Sequence, residues 1–188
     1  MVRRGGLMEK KTWRQLAPYS GIPLLAIALL LVRWSDLDGF TLLQSELLLV
    51  IGYLIAVKDA RDKRIPNSMV LALLVCWLVT IFPQLAVNIE VGLDRLVNAA
   101  IGFLIGGGLF LLVYLISKNG LGGGDVKLMA VAGLYLGMNG VLPAMLYGSV
   151  LAALFGLVLI LLKKIGRKDT IPLVPFLYLG ILITLFFF

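Results

Sequence analysis

Asp59, Asp62 and Asp125 are the side chains of this chain best suited to acid–base chemistry, because its 188 residues contain no histidine. Without histidine there is no Ser–His or Cys–His nucleophile, no imidazole metal ligand and no histidine-held haem. The one cysteine, Cys76, lies inside the apolar run 69–82, so it forms neither an intrachain disulfide nor a CxxC zinc pair. Proton transfer near neutral pH is left to carboxylates and lysines. Two carboxylates held close cannot both ionise easily and share a proton, so one takes a proton from water while the other donates one. Such a pair hydrolyses an amide without a metal or a covalent intermediate, and no cofactor or metal is expected.

Asp125 stands in Asn119-Gly120-Leu121-Gly122-Gly123-Gly124-Asp125-Val126-Lys127. The three consecutive glycines permit close backbone approach and positive φ, and the helix starting there offers free N–H groups to an anion. The same pattern also reads as a glycine-rich turn with an aspartate N-cap. It is not a phosphate loop, since no Gly-Lys-Ser/Thr follows. Asp59 stands in Val57-Lys58-Asp59-Ala60-Arg61-Asp62-Lys63-Arg64-Ile65-Pro66-Asn67-Ser68. Here Pro66 is expected to break the helix, with Asn67 or Ser68 capping the next one. A solvated charged turn is the alternative. Asp62, flanked by Arg61, Lys63 and Arg64, suits a paired surface role better than chemistry.

The elements that must position these acids follow from composition. The chain is 61% apolar and 14% charged, with a mean hydropathy of +1.03. Soluble domains are roughly 45–50% apolar and about a quarter charged, so a soluble globule and a disordered chain are both excluded. The apolar runs are continuous rather than alternating, against a β-barrel. Spans are expected at 19–34, 41–57, 68–84, 96–117, 126–138, 141–162 and 171–188, several of them shorter than the ~20 residues of a straight crossing. The expected architecture is all-α: a polytopic membrane bundle of about seven helices, with a basic segment at 1–18 and one membrane-embedded domain at 19–188.

Of the 17 basic residues, this scheme leaves only Arg33 and Arg95 on one side of the membrane. Lys and Arg are retained on the cytoplasmic side, so the N-terminus is expected inside and the C-terminus outside after seven crossings. The net charge of +7 thus reflects topology and attraction to anionic lipid headgroups rather than nucleic acid. Glu9 and Asp169 fall in basic cytoplasmic segments, and Asp36, Asp38, Glu90 and Asp94 in external loops. Glu46, within the second span, is about 20 Å along the helix from Asp59 and reads as an outer interfacial residue. Asp59 closes the second span and Asp125 opens the fifth. Two crossings separate them, so both reach the same face of the membrane.

These segments together resemble the type IV prepilin peptidase family of intramembrane aspartyl proteases with a GxGD motif. The likeness rests on Asp59 with Ile65-Pro66-Asn67, on Gly122-Gly123-Gly124-Asp125-Val126-Lys127-Leu128-Met129-Ala130, and on Ile171-Pro172-Leu173-Val174-Pro175-Phe176-Leu177, over about residues 45–185. In the last motif Val174 stands where the family usually carries glycine. The resemblance implies that Asp59 and Asp125 are the catalytic pair, acting on water through a tetrahedral gem-diol. It implies that Gly122, Gly123 and Gly124, with Lys127, Pro66 and Asn67, receive the substrate backbone. The implied substrates are prepilins or pseudopilins, whose short basic leader is cut at the cytoplasmic face of the cell membrane. Larger members add paired CxxC motifs and N-methylate the new terminus; nothing like that region is present here, so the chain resembles a stand-alone peptidase.

Gly102, Gly106, Gly107 and Gly108, with Gly133 and Gly137, suit close helix contacts. A transporter would carry more charge within the spans than Glu46. A catalytically inactive secretion scaffold would keep the fold without needing both acids, and homo-oligomerisation is left open. A presenilin-like protease would be longer and would carry Pro-Ala-Leu in place of Leu173-Val174-Pro175.

Overall fold

Capping groups set several of the helix boundaries here, and a glycine break divides the longest helix. The computed structural model describes residues 21–33, 35, 38–117, 121–164, 166 and 171–187. The basic segment expected at 1–18 lies outside the described residues. Six helices are described: α1 Gly21–Arg33, α2 Gly39–Asp62, α3 Asn67–Val87, α4 Ile89–Ile116, α5 Gly123–Leu161 and α6 Val174–Phe187.

The α2 helix starts where the Asp38 carboxylate accepts the N–H groups of Phe40 and Thr41, at 3.2 and 3.3 Å. It ends at Lys63, which adopts the left-handed conformation (φ 49°) and returns its N–H to the Asp59 carbonyl at 2.8 Å. The break therefore precedes Pro66 instead of falling on it. Pro66 is the N-cap of α3 and supplies no side-chain cap; neither Asn67 nor Ser68 takes that role, since both already lie in the helix.

The external loop expected to carry Glu90 and Asp94 is also absent. Asn88 alone joins α3 to α4, its side-chain oxygen accepting the N–H groups of Glu90 and Val91 at 3.1 and 3.2 Å. Gly92 lets the hairpin close, because a Cβ there would lie 2.8 Å from the Leu85 Cα.

The fifth and sixth expected spans form one element, α5, broken at Gly137 (φ 63°, ψ −172°), a conformation open almost only to glycine. Asn98 of α4 accepts the Met138 N–H at 2.9 Å and so satisfies a donor released by the break. The chain folds back there. A Cβ on Gly106 would touch both the Met129 carbonyl and the Val141 side chain, although these residues would be about 18 Å apart along an unbroken helix. The first limb, 123–136, therefore runs antiparallel to α4, and the second, 138–161, turns back toward the end where α5 began.

Small residues carry the helix contacts. A Cβ on Gly102 would run into the Gly133 carbonyl oxygen, one on Gly107 would lie 2.9 Å from the Ala130 Cβ, and one on Gly180 would run into the Ala144 carbonyl. Gly108 departs from the expected stripe, since nothing lies within 4 Å of its Cβ position. Around Leu48, Ile55, Leu73, Leu128, Ala132, Val174 and Ile181 the main core joins α2, α3, α5 and α6. Outside, large apolar residues face away from the protein: Leu104 is 68% and Ile116 79% exposed. That pattern requires a lipid surround. By length and composition α2, α3, α4 and α5 can cross a membrane, while α1 and α6 are shorter. The protein is an integral membrane helix bundle.

Candidate active site

Asp59 occupies the last turn of α2, on the stripe that begins with Leu48, Gly52, Ile55 and Ala56 at helical spacing. That stripe is buried, and it carries the carboxylate inward to 6% exposure although the neighbouring Lys58, Ala60 and Arg61 are all exposed. The Val174 N–H, at the first residue of α6, donates to Asp59 Oδ2 at 3.2 Å. The opening of one helix thus holds a carboxylate at the end of another, where its dipole favours negative charge.

Asp125 is held by its own helix start. Gly122 is the N-cap, and Asp125, three residues on, turns its carboxylate back to accept the Gly122 N–H at 3.0 Å. Asp125 is therefore not the N-cap itself, and its side chain is only 8% exposed. The two carboxylates are brought in from different helix ends, and the charge of Asp59 is felt at Asp125. Each has one backbone N–H donor, and together they form a buried acidic pair at one end of the bundle.

The segments bearing the pair are locked together nearby. Lys127 Nζ donates to Asn67 Oδ1 at 3.2 Å, tying α5 to α3. A Cβ on Gly124 would lie 3.0 Å from the Ile65 Cβ, so glycine lets the loop between α2 and α3 pack on the start of α5. Two neighbouring carboxylates can in general divide the roles of acid and base between them.

The sequence profile of the type IV leader peptidase family matches residues 46–157, which include both aspartates. The chain belongs to the type IV leader peptidase family. Among its relatives, a prepilin leader peptidase/N-methyltransferase of Xanthomonas campestris is 32% identical over 120 residues, 63% of this chain and 41% of the relative. One of Aeromonas salmonicida is 30% identical over 155 residues, 82% of this chain and 52% of the relative. One of Pseudomonas aeruginosa is 33% identical over 159 residues, 81% of this chain and 53% of the relative. The chain thus spans about half the length of the curated relatives it matches. No solved structure matches it.

In this leader peptidase family member the three glycines before Asp125 do different things. Gly122 supplies the carboxylate's donor, and a Cβ there would sit 3.0 Å from Asp125 Oδ2; Gly124 admits Ile65. Gly123 is exposed with nothing within 4 Å of its Cβ position, so its backbone is open to a ligand. Asn67 meets α5 through the Lys127 bond, and Pro66 precedes it in the loop whose Ile65 packs on Gly124. Asp62 stays outside, half exposed and 3.0 Å from Lys58 on the surface. Glu46 is half-buried elsewhere on α2, with its Oε1 lacking a hydrogen-bond partner. Sequence reading missed the backbone donor at Val174. The proline motif that carries it was visible, but not its pairing with Asp59 across the bundle.

Proposed function

We propose that this protein is a membrane aspartic endopeptidase that removes the short leader from prepilin- or pseudopilin-like substrates at the cytoplasmic face of the cell membrane. Asp59 and Asp125 are its catalytic pair. The observation that carries this reading is the buried pair itself: two carboxylates from separate helix ends, the charge of one felt at the other, each given one N–H donor. Family membership and relatives named prepilin leader peptidase/N-methyltransferase support the same substrate class.

Water held between the two acids loses a proton to the ionised carboxylate as its oxygen attacks the scissile carbonyl carbon. The protonated partner delivers its proton to the carbonyl oxygen, giving a gem-diol. In the collapse of the gem-diol one hydroxyl returns its proton to the carboxylate that had delivered one, the carbonyl re-forms as the C–N bond breaks, and the leaving nitrogen takes the proton that the base had gained. The substrate backbone approaches over Gly123, where no side chain obstructs it. Asn67 and Lys127 hold the rim of the approach, with Pro66 shaping the loop beside it. The chain from residue 19 onward works as one membrane-embedded domain with its N-terminus inside, crossing seven times when the two limbs of α5 are counted separately.

The test is co-expression with candidate prepilins, comparing wild type, Asp59→Asn, Asp125→Asn and Asp62→Asn. Processing should vanish in the first two variants at normal membrane levels and persist in the third. Processing that survives either of the first two removes the paired-acid mechanism, and wild-type inactivity on every prepilin favours a scaffold.

A further inference from the structure

At the end of the bundle opposite the acidic pair, α1, α2, α5 and α6 border a cavity of about 280 Å³. Ser45, in its wall, stands about 21 Å along α2 from Asp59. Polar residues from each of these helices line it. Arg33 closes α1, Thr41 and Ser45 come from the first two turns of α2, Tyr135 and Asn139 flank the break at Gly137, and Thr184 belongs to α6. Among the described residues, no carboxylate lines it.

Three of the hydroxyls already place their protons within the protein. Thr41 donates to Asp38 at 2.7 Å, Tyr135 to the Leu73 carbonyl at 2.6 Å and Thr184 to the Gly180 carbonyl at 3.0 Å. Ser45 does not. It is 7% exposed, and its hydroxyl has no hydrogen-bond partner among the described residues. A buried donor is seldom left unmade, so whatever enters the cavity has to accept from it. Further donors border the same space. The Arg33 guanidinium carries five N–H groups in a planar fork, enough to hold a protein partner and still present others to a ligand. Asn139 and Gly140 lie in the first turn of the second α5 limb, where N–H groups lack a carbonyl four residues back and the dipole end is positive.

We propose that this cavity binds a phosphate group, carried on a lipid headgroup or as a free anion. Donors converge on it from three helices, which suits an anion with several acceptor oxygens. Fixed positive charge without a lining carboxylate disfavours a cation. Arg33 ends α1 and Thr41 lies in the first turn of α2, so the cavity sits near a membrane–water boundary, the level of lipid phosphates. One water needs only roughly 10–15 Å³ of such space, so the competing occupant is a cluster of waters.

The full chain, purified in an uncharged detergent, is titrated with inorganic phosphate, with dihexanoyl phosphatidylglycerol, and with dihexanoylglycerol, which has the same chains and no phosphate. A phosphate-bearing probe should raise the melting temperature by about 3–5 °C at ten times its dissociation constant. Arg33→Gln and Ser45→Ala should each weaken that binding about tenfold, the usual cost of losing a hydrogen bond to a charged group. If Arg33→Gln does not fold, Ser45→Ala decides. Tighter binding of the lipid assigns the site to a headgroup, and tighter binding of inorganic phosphate assigns it to a soluble anion. No response to either, an equal response to dihexanoylglycerol, or unchanged affinity in Ser45→Ala overturns the inference and leaves water as the occupant. Prepilin cleavage plays no part in this readout, so the outcome is independent of the peptidase reading.

Discussion

The backbone N–H of Val174 donates to Oδ2 of Asp59 at 3.2 Å, joining the start of α6 to the end of α2 across 115 residues of chain. A valine where the family usually has glycine can still supply this donor, because the bond uses the main chain. Val174→Pro removes the N–H at the first helical position, where proline's φ is tolerated. Losing a hydrogen bond to a charged group costs about 1.5–3 kcal/mol, or roughly 10- to 100-fold in rate. The expected result is a fall in kcat of that size with little change in KM. Val174→Ala keeps the N–H and should retain most of kcat, and equal losses in both variants would mean that burial of the side chain matters instead.

Gly124 and Gly123 should separate cleanly. Gly124→Val drives branched methyls into Ile65, so thermal stability and processing should both fall, with partial recovery in Gly124→Val/Ile65→Ala. Gly123→Leu meets no atom of the protein at its Cβ. Its melting temperature in detergent should stay near wild type while KM for prepilin rises.

At the far end of the bundle Arg95 grips Asp38, and its Nη1 also donates to Thr41 and Gln84 at 2.7 and 3.1 Å. Partial burial pushes the Asp38 carboxyl up, but the bonds from Arg95 and Thr41 outweigh it and hold the group at about 2, below its ordinary 3.8. A depressed carboxylate pKa contributes stability that is complete above 3.8 and lost as pH falls toward 2. Comparing melting curves of wild type and Asp38→Asn across that window should show the wild-type advantage shrinking as the pH drops. A constant gap would rule out the carboxylate as its source.

The fold-back at Gly137 should tolerate a side chain poorly. Gly137→Ala imposes a strained conformation costing about 1–3 kcal/mol, and its Cβ would also lie 2.6 Å from Asn98 Nδ2. Asn98→Ala removes only the acceptor of the Met138 N–H, so its melting temperature should fall less. A larger fall in Asn98→Ala would show that the bond, not the glycine conformation, makes the turn.

Much of the architecture was legible before any coordinates. Continuous apolar runs report partition between lipid and water, which each segment expresses independently of its neighbours. Counting crossings was enough to bring Asp59 and Asp125 to one end, whereas the burial of Asp59 on the stripe of Leu48, Gly52, Ile55 and Ala56 came only with the packing of α2. Glycine, by contrast, is silent in a linear reading. Whether it turns a chain as at Gly137, admits a neighbour as at Gly124, or leaves open space as at Gly108 and Gly123 depends on atoms remote in sequence. The same holds for the Val174 donor and for the polar cavity beside Ser45. Hydropathy and charge settle where a helix lies, whereas its contacts arise from short-range packing between helices, a property of the folded bundle alone.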